Sequence, residues 1–142
     1  MECVLVERFT DSQTFYIIFD KSYTKHWSRF FINPKFQHVH LVRDSNGQAL
    51  MINSFAHVMC IREYPCSIES FIEQEAAQKP TAILQLTVHY ASHYKPAPIE
   101  ILTCVSICKR LLGIRTRCIT PKGLYHELIK AGATVLIPYC VT

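Results

Sequence analysis

Glycine is scarce in this chain, with four residues among 142 and no two of them close together. A phosphate-cradling loop needs glycines in near succession so that backbone N–H groups can approach the anion; that class of site is excluded. Long apolar runs are missing as well. Stretches such as Ala133–Tyr139 fall far below the length that crosses a bilayer, so no membrane span is expected. The opening residues, Met-Glu-Cys-Val-Leu-Val-Glu-Arg, carry no basic segment followed by an apolar one, and no signal peptide is expected from them. There is no Cys-x2-Cys pair, the usual mark of a structural zinc site, and no pair of catalytic carboxylates. The chain shows no internal repeat and no low-complexity segment, which excludes solenoids and linker-like regions.

What remains is a chain rich in core-forming residues. Almost half of it is apolar, with eight Phe and seven Tyr, enough to bury a core without covalent staples. Its length fits one domain, residues 1–142. Seven cysteines, an odd number without a tight framework, read as reduced thiols in an intracellular setting. The net charge of +4 is modest. Lys109-Arg110 with Arg115 and Arg117 form the main basic grouping. They read as a solvated basic rim, with a nucleic-acid-binding module as a weaker rival.

Strand signals occur at residues 2–7 and 14–19, where β-branched and aromatic residues flank Thr10-Asp11-Ser12. Residues 21–32 suit a short helix or covering loop that ends at Asn33-Pro34. The clearest hairpin runs from Phe36–Val42 to Gln48–Phe55 across Asp44-Ser-Asn-Gly47. By period two, Phe36, His38, His40 and Val42 share a face. A Ser45-Asn46 turn sets His38 opposite Asn53, whereas an Asn46-Gly47 turn sets His40 there. Either way Asn53 faces the same side as both histidines.

Residues 56–64 continue extended to Pro65. Ser67 then caps a helix to about Gln78, with Ile68, Phe71, Ile72 and Ala76 inward. A strand follows at 81–90, burying Leu84, Leu86 and Val88. Thr103 is placed to cap the next helix, with Cys104, Ile107, Cys108 and Leu111 on one apolar face and Gly113 beyond its end. Lys109 and Arg110 fall late, where the helix dipole favours cations. A final helix starts at Thr120-Pro121, carries Leu124, Leu128 and Ile129, and stops at Gly132 ahead of a strand at 134–137. The fold class is α+β: an antiparallel sheet with about three packed helices.

Chemistry concentrates on Cys104. A thiol in the first turn of a helix meets the positive end of the dipole and unpaired N–H groups, both of which favour the nucleophilic thiolate. Cysteine hydrolysis also needs an imidazole to carry the proton and a polar group to orient that imidazole. His38, with His40 as the alternative base, and Asn53 supply these types on one hairpin face. The structural alternative is a buried Cys104 acting as a small hydrophobe, with strand histidines that only pack. His38-x-His40, His89-x3-His93 and Cys104-x3-Cys108 each offer two ligands at most, so neither a metal nor a cofactor is expected. Cys3, Cys60, Cys66, Cys118 and Cys140 are assigned no role.

The order of a His-bearing strand, a polar partner strand and a later Cys-led helix resembles circularly permuted papain-like cysteine hydrolases, the group of NlpC-type and lecithin–retinol acyltransferase-like enzymes. Phe36-Gln-His38, Ile52-Asn53-Ser54, Thr103-Cys104-Val105, Lys109-Arg110-Leu-Leu-Gly-Ile114, Thr120-Pro121 and Leu124-Tyr125 are similar to segments of small tailed-bacteriophage proteins. The resemblance covers about residues 25–130 and implies Cys104 as nucleophile, His38 as base and Asn53 as orienting residue. Ser54 departs from the proline that the phage relatives lead one to expect after position 53. The implied activity is cleavage of an amide or peptide bond, in a peptide or a peptidoglycan-like substrate. A virion structural or assembly protein that keeps the fold without turnover, and contacts other virion proteins, is the rival reading. The implied location is the host cytoplasm, the virion, or both.

Overall fold

A computed structural model describes residues 12–21, 35–55, 58–89 and 103–139. The strand expected at residues 2–7, most of the 21–32 element, and the 91–98 loop with His93 lie outside them, as do Cys3 and Cys140. Among the described residues, six strands form one sheet: β1 (Ser12–Asp20), β2 (His38–Ser45), β3 (Gln48–Phe55), β4 (Val58–Tyr64), β5 (Ala82–His89) and β6 (Thr134–Ile137). Their spatial order is β4-β3-β2-β1-β5-β6, and every neighbouring pair is antiparallel. Three helices among the described residues pack on this sheet: α1 (Ile68–Ala77), α2 (Cys104–Leu112) and α3 (Pro121–Lys130). The fold is α+β, as the hydrophobic periodicity predicts.

Alternation along the strands divides the core in two. Phe15, Ile17 and Phe19 of β1, Val39 and Leu41 of β2, Ile52 of β3 and Leu84 of β5 face α2 and α3, whose Val105, Ile107, Leu124 and Leu128 complete that cluster. Ile18, Val42, Ala49 and Ile83 face the other way and meet Ile68 and Phe71 of α1. The sheet is therefore a central layer with α1 on one side and α2 with α3 on the other.

The β2–β3 turn settles the hairpin register. Asn46 and Gly47 both take positive φ, 52° and 83°, the pattern of a type I′ turn, and Ser45 pairs with Gln48. That register sets His40, not His38, opposite Asn53.

One expectation about this hairpin fails. Phe36 does not share a face with His40 and Val42, because β2 begins only at His38 and Phe36 precedes it. Its ring joins the α2–α3 side instead, 5.6 Å from Phe19, 5.4 Å from Tyr125 and 4.7 Å from Tyr139 between centroids. Three aromatic partners in edge or tilted geometry outweigh continuing the strand by two residues.

Candidate active site

Helix α2 is closed at both ends by its own sequence. The Thr103 side chain accepts a hydrogen bond from the Ser106 backbone N–H at 3.1 Å, and the Ser106 hydroxyl accepts one from the Thr103 N–H at 2.7 Å. This reciprocal capping box uses Ser at its third helical position where Glu or Gln is usual. Gly113 takes the left-handed conformation at the C-terminus, with φ 66°. Cys104 is the first helical residue. Its backbone N–H has no acceptor within the helix, because the first-turn donors have no carbonyl one turn earlier.

The buried surface of α2 is broader than one stripe. Val105, Ser106, Ile107, Cys108, Lys109 and Leu112 are buried, while Cys104 and Leu111 are only partly so. Cys104 is thus packed against the core without being sealed in it. Cys108, one turn along, is sealed; burial first, and the neighbouring Cys104 second, push its thiol well above the ordinary range.

Lys109 overturns the reading of a solvated basic rim at that position. It is 5% exposed, and its ammonium donates to the carbonyls of Thr116 and Cys118, both at 3.1 Å. The chain after Gly113 folds back over α2 and offers carbonyls to the cation, so Lys109 fastens a connection instead of facing solvent. A nucleic-acid surface built on Lys109 loses its first member.

The structure brings Cys104, His38 and Asn53 together. His38 Nε2 lies 2.5 Å from Asn53 Oδ1. The two are diagonal neighbours on one face of the β2–β3 pair, within the reach that strand twist gives long side chains. The Cys104 side chain lies close enough to the His38 imidazole to act on its ionisation, the strongest influence on the ring after burial. An amide oxygen only accepts, so the Nε2 that faces Asn53 carries the hydrogen.

Burial lowers the His38 pKa, but the Cys104 side chain, the Asn53 hydrogen bond and the Asp20 carboxylate together raise it above 6.5. The imidazolium is therefore favoured beside the sulfur.

His40 occupies a different environment. Its ring stacks beside His38 at 6.0 Å between centroids and sits under α1, 5% exposed. Nδ1 is 3.4 Å from Asp20 Oδ2, and Nε2 is 4.0 Å from Glu75 Oε2. Burial, and secondarily the Asp20 charge, raise the Glu75 pKa against the opposing pull of His40.

The sequence reading missed Asp20 and Glu75. Asp20 is the last residue of β1 and pairs with His38, a match visible only once β1 and β2 are placed side by side. Glu75 looks solvent-facing by helical period, yet it stands partly buried over His40.

Among the described residues, no group of three His, Cys, Asp or Glu side chains is arranged to hold a metal. Nor is any helix there long and apolar enough to cross a membrane. No protein-family model, curated protein or solved structure matches the chain, so a functional reading rests on the site's own geometry.

Proposed function

We propose that the chain is a papain-like cysteine hydrolase that cleaves an amide or peptide bond, with a peptide or peptidoglycan-like substrate and a bacteriophage source as the resemblance implies. The observation that carries this reading is the grouping of Cys104, His38 and Asn53: the His38 ring sits 2.5 Å from the Asn53 amide oxygen and its ionisation feels the Cys104 side chain. The sulfur attacks the scissile carbonyl carbon, forming a C–S bond and a tetrahedral oxyanion. The Cys104 backbone N–H supports that oxygen. The His38 imidazolium gives its proton to the leaving nitrogen as the C–N bond breaks. Water then attacks the thioester carbon while His38 accepts its proton; the C–S bond breaks, the carboxylic acid is released, and the sulfur is restored as thiolate beside the imidazolium. Asn53 holds the ring in the tautomer and direction both steps require.

Selective alkylation tests the nucleophile. Iodoacetamide near neutral pH is expected to modify Cys104 well before Cys60, Cys66 and Cys118, which are also partly exposed and outside any disulfide. Cys108 is expected to stay unmodified while the fold persists. Equal rates at Cys104 and the other exposed thiols would remove the enzymatic reading and leave the non-enzymatic virion component.

A further inference from the structure

Asn53 is a neutral partner for His38. Its amide oxygen fixes which way the ring turns, but an amide carries no net charge to set against an imidazolium. Asp20 supplies a charge on the same face of the sheet. It ends β1 directly opposite His38 in the antiparallel register, which places their Cβ atoms roughly 4.5–5.5 Å apart. Asp20 Oδ2 also lies 3.4 Å from His40 Nδ1, and the His40 ring stacks on His38 with 6.0 Å between centroids. The carboxylate therefore sits beside both rings, and its side chain is only a third exposed.

The other groups of the cluster do not take over that task. Glu75 approaches from α1 at the other ring nitrogen of His40, 4.0 Å from Nε2, and burial favours its protonated form. Neither His40 nitrogen makes a hydrogen bond, so Asp20 is not committed to His40 by one. Cys104 acts on His38 from α2, Cys60 of β4 lies opposite Asn53, and β5 sets Ala82 and Ile83 across from Phe19 and Ile18. Lys21 follows Asp20 and is exposed. Attraction between the Asp20 carboxylate and a charged His38 ring thus acts at short range in a partly dewatered place, where it is stronger than between surface groups.

We propose that Asp20 is a further positioning residue of the site: its carboxylate, held by the β1–β2 register, keeps the His38 ring charged beside the sulfur, a task that neutral Asn53 cannot perform. This inference rests on the hydrolase reading and extends it to the pH range over which the site works. Asp20 acts through His38. Without its charge the ring releases its proton at lower pH, and the thiolate–imidazolium pair is lost from the alkaline side.

NMR titration of the His38 ring signal in the full chain, assigned by its loss in His38→Gln, tests the role. It is made in the wild type and in Cys104→Ala, because removing the thiol separates the effect of Asp20 from the coupled titration of the sulfur. Asp20→Asn should lower the His38 midpoint by at least about 0.5 pH unit in both backgrounds. Asp20→Glu, which restores the charge, should recover most of that shift, and Asp20→Ser, smaller and also uncharged, gives an independent reading. Glu75→Gln removes the carboxylate at the other side of His40 and should leave the His38 midpoint near that of the wild type. With Cys104 present, Asp20→Asn should also slow its alkylation. An unmoved midpoint in Asp20→Asn and Asp20→Ser, or an equal shift in Glu75→Gln, would overturn the role of Asp20 and leave the hydrolase reading standing. A lowered midpoint alongside unselective alkylation of the wild type would instead fail the hydrolase reading, and with it the reaction that Asp20 serves.

Discussion

At the scale of single residues, the chemistry turns on what surrounds His38. A strand histidine with one water-facing nitrogen would titrate near its ordinary value. Here the Cys104 sulfur, the Asn53 amide and the Asp20 carboxylate all favour the charged ring, enough to exceed the cost of burial. The sign of the linkage follows. The folded state holds the proton more tightly than the unfolded chain, so His38 contributes stability that is complete below about 6.5 and is lost as pH rises through its raised folded value. Urea unfolding across that window should show stability falling with pH, and His38→Gln should flatten the fall. A slope unchanged by the substitution would contradict the assigned contacts.

Elements position these residues, and the first of them is the start of β2. Phe36 anchors it from the α2–α3 side, fully buried against Phe19, Tyr125 and Tyr139, so His38 two residues later begins a fixed strand. Truncating Phe36→Ala leaves a cavity that joins β1, β2 and α3, with an expected loss of about 3–5 kcal/mol in denaturant unfolding. A loss below about 1 kcal/mol would show that the cluster does not hold this strand.

Much of this level was legible in the chain. Asn46-Gly47 announced the hairpin, Ser67, Thr103 and Thr120 announced three helix starts, and Gly113 announced a stop, because turn and cap chemistry is local. Phe36 and Lys109 were not legible. Their environments are set by partners distant in sequence or by a connection folding back, and neither obeys a period of two or 3.6 residues.

For the whole molecule, the sheet makes the site by bringing remote segments to one end. β1 ends there at Asp20, β2 starts there at His38, and β3 comes up beside it with Asn53. Helix α2 then delivers Cys104 from the opposite end of the sequence. The sequence reading could name Cys104, His38 and Asn53 because residue type and helix position mark them. It could not choose between His38 and His40, since both lie on one face and only tertiary packing separates them. Helix α1 takes His40 into the Asp20–Glu75 environment and leaves His38 for the sulfur.

The proton shared between sulfur and imidazole is the central claim, and the pH profile of Cys104 alkylation measures it most directly. Rates should be followed by mass spectrometry for the wild type, His38→Ala and His40→Ala. The account predicts that His38→Ala slows Cys104 alkylation and changes its dependence on pH, while His40→Ala leaves a wild-type-like profile. Superimposable profiles for wild type and His38→Ala would contradict it.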